Sequence, residues 1–171
     1  THSPWHSGFH LERMNLLLDR LGSPHLAVPT VHIAGTNGKG STAAMVTSIL
    51  CAGGYRVGLY TSPHLHKVTE RIRIGMDPIR YGEFATLVHQ VWAQAELVEQ
   101  TGGYGPLTFF ELMTAMAFLH FQQKEVDLQV IEVGLGGRLD STNVVSPELS
   151  VITSVSLDHV VTLGITVSLI T

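Results

Sequence analysis

Apolar residues recur along this chain at two different periods, and segments of the two kinds alternate. Residues 8–21 have the spacing of an amphipathic helix, and further helices are predicted at residues 41–51, 81–100 and 108–123. Short apolar or alternating runs predict strands at residues 30–34, 56–61, 70–75, 128–133 and 149–155. A turn is expected at Met76-Asp-Pro78, between the third strand and the helix that follows it.

Strands that alternate with helices predict an α/β fold, with a mostly parallel sheet flanked by helices and joined by right-handed crossovers. Ligands of such sheets gather at the carboxyl ends of the strands. Those ends carry residues 35–41, 61–64, 132–143 and 153–159, which include the candidate phosphate loop and several acidic and hydroxyl side chains that could take part in chemistry. The pattern therefore predicts a single site along one edge of the sheet.

Composition narrows the class of protein. The 171 residues are 44% hydrophobic and suffice for one domain with a core. The net charge is -4, with 10 lysines and arginines against 14 acidic residues, so neither a nucleic-acid partner nor a basic membrane surface is expected. No apolar run is long enough to span a bilayer, and no signal peptide is recognised. Cys51 stands alone, which favours a reducing compartment and hence the cytoplasm.

The segment from Thr30 to Thr42 carries the strongest chemical signal. It reads as a buried strand, a glycine-rich exposed turn with one lysine, and the start of a helix, which is the arrangement that binds phosphate groups. Ile33 and Gly40 depart from the strict phosphate-loop pattern. The alternative is an ordinary turn with a solvated lysine. The loop residues expected to hold a nucleoside triphosphate, with glycines 35, 38 and 40 at positive φ, are Gly35, Thr36, Asn37, Gly38, Lys39, Gly40, Ser41 and Thr42.

Acidic and hydroxyl side chains follow other strands. Glu132 ends an apolar strand, where a carboxylate beside a phosphate loop commonly holds Mg²⁺, although it could instead cap a loop. Ser62 and His159 are weaker candidate ligands for the same ion. An isolated pair such as Asp158-His159 is more often structural.

Two further segments are candidates for substrate contact. The glycine-rich run 134–143 contains Asp140 and Asn143, which could orient a substrate or brace the loop. Thr108 and Glu111 have the spacing of a helix capping box. The adjacent Phe109 and Phe110 could stack against a flat ring or pack in the core.

Five motifs stand together in a recognisable order. They are Gly35-Thr-Asn-Gly-Lys-Gly-Ser41, Thr61-Ser-Pro-His-Leu65 with Glu70-Arg-Ile72, Thr108-Phe-Phe-Glu111, Glu132-Val-Gly-Leu-Gly-Gly-Arg-Leu-Asp-Ser-Thr-Asn143 and Leu157-Asp-His159. Together they resemble folylpolyglutamate synthase, including its bifunctional dihydrofolate synthase form, within the Mur ligase superfamily. The resemblance covers nearly the whole chain and implies the P-loop NTPase-like central domain of those ligases.

This resemblance implies an ATP-dependent amide ligase, in which ATP phosphorylates a carboxylate of folate or dihydropteroate and L-glutamate attacks the acyl phosphate. Lys39 and its neighbours would hold the outer phosphates, Ser62 and Glu132 a first Mg²⁺, and Glu132 with His159 a second. Lys39, Glu132 and His159 would be the catalytic residues. The residues expected to bind the pterin substrate or line its entrance are Glu12, Arg13, Thr108, Phe109, Phe110, Leu139, Asp140 and Ser141.

Members of this family also have a second domain and a metal-binding lysine segment beyond the histidine, and this chain stops at Thr171. We therefore expect residues 1–171 to be an ATP-binding domain truncated at its C-terminal end, lacking the C-terminal domain in cis and turning over weakly or not at all.

Three alternatives remain from the residues. Another Mur-type ligase would act on a cell-wall precursor, although the Thr61-Ser-Pro-His and Thr108-Phe-Phe-Glu motifs favour the folate side. A nucleotide-binding module without catalysis would also fit a truncated chain. A signalling GTPase is disfavoured because the sequence has no Asn-Lys-x-Asp guanine-reading motif.

Overall fold

The computed structural model describes residues 11–156. Four helices are present in this part of the chain: α1 (Leu11–Arg20), α2 (Lys39–Ala52), α3 (Tyr81–Gly102) and α4 (Phe109–Gln123). The strands are β1 (Thr30–Ala34), β2 (Val57–Tyr60), β3 (Ile72–Ile74), β4 (Asp77–Pro78), β5 (Leu128–Glu132) and β6 (Leu149–Ile152). Short 3-10 turns occupy Pro24–Leu26 and Val68–Arg71.

All six strands join one sheet, in the order β4-β3-β2-β5-β1-β6. β5 is parallel to both β1 and β2, and β6 is parallel to β1. Only β3 and β4 run antiparallel to their neighbours, as a hairpin at one edge. The predicted α/β fold with a mostly parallel sheet is confirmed, and β5 lies between the two strands that precede it in sequence.

The sheet buries a different set of side chains on each face, because successive residues of a strand point to opposite sides. Val31 and Ile33 of β1 pack with Ala43 of α2 on one face. On the other face Tyr60 and Ile131 join the larger core built with α1, α3 and α4. Gly58 of β2 permits a close approach there, since a Cβ at this position would lie 2.5 Å from the ring of Phe121.

Several predicted boundaries need correction. α2 begins at Lys39 rather than Ser41, so this lysine is half-buried at a helix start instead of lying in an exposed turn. Residues 70 and 71 belong to a 3-10 turn, because the Glu70 carboxylate accepts the backbone N–H groups of residues 65–67 and winds the chain there. Asp77–Pro78 pairs as β4 where only a turn was expected.

The end of β6 also differs from prediction. The strand stops at Ile152, and the next residues hydrogen-bond to the phosphate loop instead of continuing as a strand to residue 155. Within residues 11–156, no helix combines the length and the apolar character that crossing a bilayer requires.

Candidate functional site

The loop between β1 and α2 has the backbone shape that its glycines predict at two of three positions. Gly35 and Gly38 have φ of 134° and 83°. Gly40 does not need positive φ, because it lies in the first turn of α2. A Cβ there would lie 3.4 Å from both carboxylate oxygens of Glu132, which is ordinary van der Waals contact. The start of α2 therefore lies against the end of β5.

Lys39 turns back over this loop. Its Nζ donates to the carbonyl oxygens of Gly35, at 2.9 Å, and Thr36, at 3.2 Å. The N-terminus of a fourteen-residue helix begins at the same residue, so its free N–H groups and its partial positive charge add to that of the ammonium. Asn37, Gly38 and Ser41 are exposed beside it. This is the arrangement that favours phosphate groups.

The segment after β6 holds the phosphate loop in shape. The N–H of Thr36 donates to the carbonyl of Ser154 at 2.6 Å, and the Thr153 hydroxyl donates to the carbonyl of Asn37 at 2.7 Å. A Cβ on Gly35 would lie 2.2 Å from Thr153 Oγ1, so only glycine fits this contact. The loop is thus fixed from the neighbouring strand as well as by its own turn.

Glu132 lies at the centre of the site because β5 separates β1 from β2. Its side chain is buried, and Oε2 accepts the backbone N–H of Ser62 at 2.9 Å. Burial raises the pKa of this carboxyl above its usual value, although the Ser62 N–H, the Lys39 charge and the Gly40 N–H each act to lower it. The carboxylate therefore touches both the loop after β2 and the start of α2.

The oxygen atoms around Glu132 suit a magnesium ion that retains most of its other ligands from water and phosphate. In residues 11–156 no group of three or more histidine, cysteine or acidic side chains converges as a metal cage, which Mg²⁺ bound with a nucleotide does not need. Ser62 is half-buried next to the carboxylate. His159, the other predicted ligand, lies outside the described residues.

A cleft of about 310 Å³ adjoins this carboxylate and shares Ser62 with it. Five of the predicted substrate-binding residues line the cleft, namely Thr108, Phe110, Leu139, Asp140 and Ser141. Thr108 caps α4 as the capping box predicts, accepting the N–H of Glu111 while the Glu111 carboxylate accepts the N–H of Thr108. The structure thus brings residues from three loops around one cavity next to the phosphate loop.

Asp140 braces the glycine-rich loop from inside. Oδ2 accepts the N–H of Leu135 at 2.8 Å, while Oδ1 accepts the N–H of Thr142 at 3.0 Å and its hydroxyl at 2.6 Å. Gly134 is required at this point, since a Cβ would lie 2.5 Å from the ring of Phe110. The loop and the start of α4 therefore fit together only without that side chain.

Phe109 is 57% exposed and does not line the cleft, but the guanidinium of Arg71 lies 5.3 Å from its ring centre. Arg71 was not predicted as a site residue, because its neighbours alternate like an ordinary half-exposed strand. It is buried, lines the cleft and donates from Nε to His64 Nδ1 at 2.9 Å. No carboxylate of the described part of the chain forms an ion pair with it. Arg71 thus gives the cleft a positive charge.

The two residues predicted near the cleft entrance lie in different surroundings. Glu12 is exposed on α1. Arg13 is buried and forms a two-bond ion pair with Glu111, at 3.0 Å from Nε and 2.8 Å from Nη2, and it also donates to the carbonyl of Tyr104. Arg13 does not line the cleft, so in this structure it joins α1 to α4 and supports the cleft wall from behind.

Known proteins resemble this chain in sequence. No protein-family model matches it. It is 49% identical over 158 residues to a dihydrofolate synthase/folylpolyglutamate synthase of Bacillus subtilis, covering 92% of this chain and 36% of that protein. A folylpolyglutamate synthase of Lacticaseibacillus casei is 44% identical over 158 residues, with coverage of 92% and 37%. The chain thus spans little more than a third of these relatives.

Solved structures also resemble the chain, in fold as well as in sequence. The folylpolyglutamate synthase of Mycobacterium tuberculosis in complex with ADP and AMPPCP has a TM-score of 0.90 at 41% identity, covering 97% of this chain and 38% of that one. A complex of FPGS (folylpolyglutamate synthase) with AMPPCP and folate has a TM-score of 0.90 at 41% identity. The match covers 99% of this chain and 41% of that one. Over nine-tenths of its length, the chain is a homologue of one segment of the folylpolyglutamate and dihydrofolate synthases, and the resemblance predicted from its motifs is confirmed.

Proposed function

We propose that this chain carries the phosphate-binding and pterin-binding parts of an ATP-dependent amide ligase, which adds L-glutamate to folate or dihydropteroate through an acyl phosphate. The observation that carries the proposal is the position of Ser62. Its N–H binds the Glu132 carboxylate beside the phosphate loop, and the residue also lines the substrate cleft. A nucleotide and an acceptor carboxylate bound on either side of Ser62 would face each other.

The nucleotide is ATP in this proposal. Homologous enzymes are described in complex with ADP and AMPPCP, and AMPPCP is an ATP analogue. In this chain the loop 35–42 presents backbone N–H groups, and Lys39 supplies the positive charge that outer phosphates attract. Binding would draw the ammonium from the carbonyls of Gly35 and Thr36 toward the phosphates.

Mg²⁺ would be held by Glu132 with the Ser62 hydroxyl, and His159 is proposed as a further ligand. The carboxylate and hydroxyl oxygens are of the kind that Mg²⁺ prefers. When bound, the ion would offset the repulsion between the phosphate and carboxylate anions. The N–H of Ser62 holds the Glu132 carboxylate in place, at the end of β5 and against the start of α2.

The cleft would take the pterin end and the carboxylate of the acceptor. A homologous complex contains folate beside AMPPCP. Here Phe110 offers a flat ring, Asp140 an acceptor held in place by three hydrogen bonds, and Arg71 a cation. Glu12, Phe109, Leu139 and Ser141 remain proposed contacts around this pocket.

The reaction then has two steps. A carboxylate oxygen attacks the γ-phosphorus, the bond from phosphorus to the β-phosphate oxygen breaks, and ADP leaves. The amine of glutamate attacks the acyl carbon, loses a proton, and inorganic phosphate leaves. Lys39 would stabilise the charge that develops on the transferred phosphoryl group, while the cleft residues hold the carboxylate in line with it.

The chain corresponds to little more than a third of its relatives, so we propose that glutamate addition needs segments those relatives have in addition. Residues 1–171 would form the ATP-binding domain, with binding but little or no turnover. A reducing compartment is proposed from the single Cys51, and the cytoplasm meets that condition.

Calorimetric titration tests the proposal directly. The chain should bind AMPPCP in a Mg²⁺-dependent manner and bind dihydropteroate in preference to a UDP-muramyl peptide. Binding of the muramyl precursor instead would overturn the substrate class, and failure to bind AMPPCP would overturn the ligase assignment. Incorporation of radiolabelled glutamate into dihydropteroate by this chain alone would contradict the need for further segments.

A further inference from the structure

A buried histidine on β1 is connected to the substrate cleft through one hydroxyl group. His32 of β1 is 8% exposed, and its Nε2 lies 2.8 Å from Oγ1 of Thr142, which is fully buried. The same Oγ1 lies 2.6 Å from Oδ1 of Asp140. The three side chains therefore form a continuous hydrogen-bonded line from β1 to the wall of the cleft.

The donor and the acceptor of each hydrogen bond in this line follow from the chemistry of the three side chains. The Thr142 hydroxyl has a single proton, and a carboxylate can only accept hydrogen bonds. At 2.6 Å from Oδ1, that proton must lie between Thr142 and Asp140, since two bare oxygens would repel each other at this distance. The oxygen of Thr142 is then left as an acceptor for His32, so the histidine carries its proton on Nε2.

The arrangement is costly unless it is complete. All three groups are buried, and a buried polar group without a partner is less stable than one that is paired. Burial lowers the pKa of His32, so the ring is neutral near pH 7, although nearby Asp140 acts to raise it. A neutral ring has one N–H to give, and the line requires that it be given to Thr142.

We propose that His32 is a positioning residue for the substrate pocket: its Nε2–H orients the Thr142 hydroxyl, which holds the Asp140 carboxylate and thereby the glycine-rich loop in the shape of the cleft. This inference rests on the proposed function for its consequence in binding. Asp140 also accepts the N–H of Leu135 at Oδ2 and the N–H of Thr142 at Oδ1, so a carboxylate that is free to turn would loosen both sides of the loop.

Two pairs of variants distinguish loss of a hydrogen bond from a change in side-chain volume. Gln places an amide nitrogen near the position of histidine Nε2, so H32Q keeps the donor and H32L removes it. T142S keeps the hydroxyl and T142V removes it at nearly equal volume. Circular dichroism and the exchange rate of the Val130 amide, in the middle of β5, report whether each variant retains the fold.

The first readout needs no ligand. In ¹⁵N-labelled chain the His32 ring should show a protonated Nε2 and a bare Nδ1. Amide hydrogen exchange at Leu135 and Thr142 should quicken about tenfold in H32L and T142V, corresponding to loss of one buried hydrogen bond, and should stay near the parent rate in H32Q and T142S. A ring protonated on Nδ1 alone, or equal exchange in all four variants, would overturn the positioning role.

The second readout is ligand binding. H32L and T142V should bind dihydropteroate about tenfold more weakly while their affinity for AMPPCP stays within about twofold. An equal loss for both ligands would indicate a general structural defect and contradict the proposal. If the parent binds no dihydropteroate, the proposed function fails, and the tautomer and exchange results still decide whether His32 positions Asp140.

Discussion

Lys39 and Glu132 come from distant parts of the sequence and act on the same small volume. The ammonium lies over the phosphate loop, and the carboxylate lies against the first turn of the helix that Lys39 begins. Lys39 is only half-buried, and glutamine can replace the buried Glu132 at nearly equal size. Both are therefore suited to tests of binding that leave the fold intact.

Replacing Lys39 with alanine should weaken AMPPCP binding about 10- to 100-fold, because a hydrogen bond to a charged group contributes about 1.5–3 kcal/mol. Thermal unfolding should change little. Titration calorimetry measures the affinity, and K124A is the matched control. Lys124 follows α4 at its C-terminal end and pairs with Glu83, so K124A removes the same charge away from the loop. Equal affinity of K39A and parent would contradict the phosphate site.

Glu132→Gln should separate stability from metal binding. Burial raises the pKa of Glu132, which means that folding disfavours its charged form and that a neutral amide of equal size should be tolerated or stabilising near pH 7. The Mg²⁺ dependence of AMPPCP binding should fall in this variant and in Glu132→Ala. Thermal melts and a Mg²⁺ titration measure the two effects. A metal titration identical to that of the parent would count against Glu132 as a ligand.

The sequence was a good guide to these residues for a physical reason. A glycine-rich turn and an acid at a strand end carry local signals, so Gly35, Gly38 and Glu132 could be predicted without coordinates. The contact of Gly40 with Glu132 could not be predicted in this way, because the two residues are 92 positions apart in the sequence. His32 and Thr142 were missed because they meet across 110 residues of sequence. Arg71 was missed because its neighbours alternate like an ordinary half-exposed strand.

α1 and α4 are joined by an ion pair that their sequences do not reveal. Glu111 was predicted as the third helical residue of a capping box, and it is. Its carboxylate also pairs with Arg13 of α1, 98 residues away. Amphipathic periodicity predicts that α1 packs on the core, but it does not predict which helix α1 meets or through which side chain.

Removing one partner of this buried pair should destabilise the fold strongly. Arg13→Met and Glu111→Leu are each expected to lower the free energy of unfolding by about 3–5 kcal/mol, because each leaves an uncompensated buried charge. The double variant should recover much of this loss, since it buries no charge. Urea denaturation followed by circular dichroism measures all three proteins.

Thr108→Ala serves as the comparison for the ion pair, because it removes the helix cap and should cost about 1 kcal/mol. A double variant as unstable as the sum of the two single variants would show that Arg13 and Glu111 do not act as a pair.

At the scale of the whole molecule, buried histidines tie stability to pH. Burial lowers the pKa of His120 to about 4, with Glu83 acting to raise it and Lys124 and Arg56 to lower it further. Burial also lowers the pKa of His25 and of His32. The unfolded chain thus binds more protons than the folded chain between about pH 6.5 and 4, so stability is lost as the pH falls through that range.

Replacement of His120 with glutamine should reduce this loss of stability at acid pH, because residue 120 can then no longer take up a proton on unfolding. The free energy of unfolding would be measured by urea denaturation from pH 4 to pH 7. His89→Gln is the control, since His89 is exposed on α3 and should leave the profile as it is in the parent. A profile of H120Q that falls as steeply as that of the parent would contradict the assignment.

The order of the strands has a consequence for synthesis. β1 and β2 emerge early from the ribosome but never pair with each other, because the space between them belongs to β5. Until residues 128–132 are made, the nascent chain carries two parallel strands with open hydrogen-bonding edges, which invite pairing with other chains. Insertion of β5 closes both edges and delivers Glu132 to the phosphate loop in one event. Chaperone protection should therefore matter most in the interval before that strand is translated.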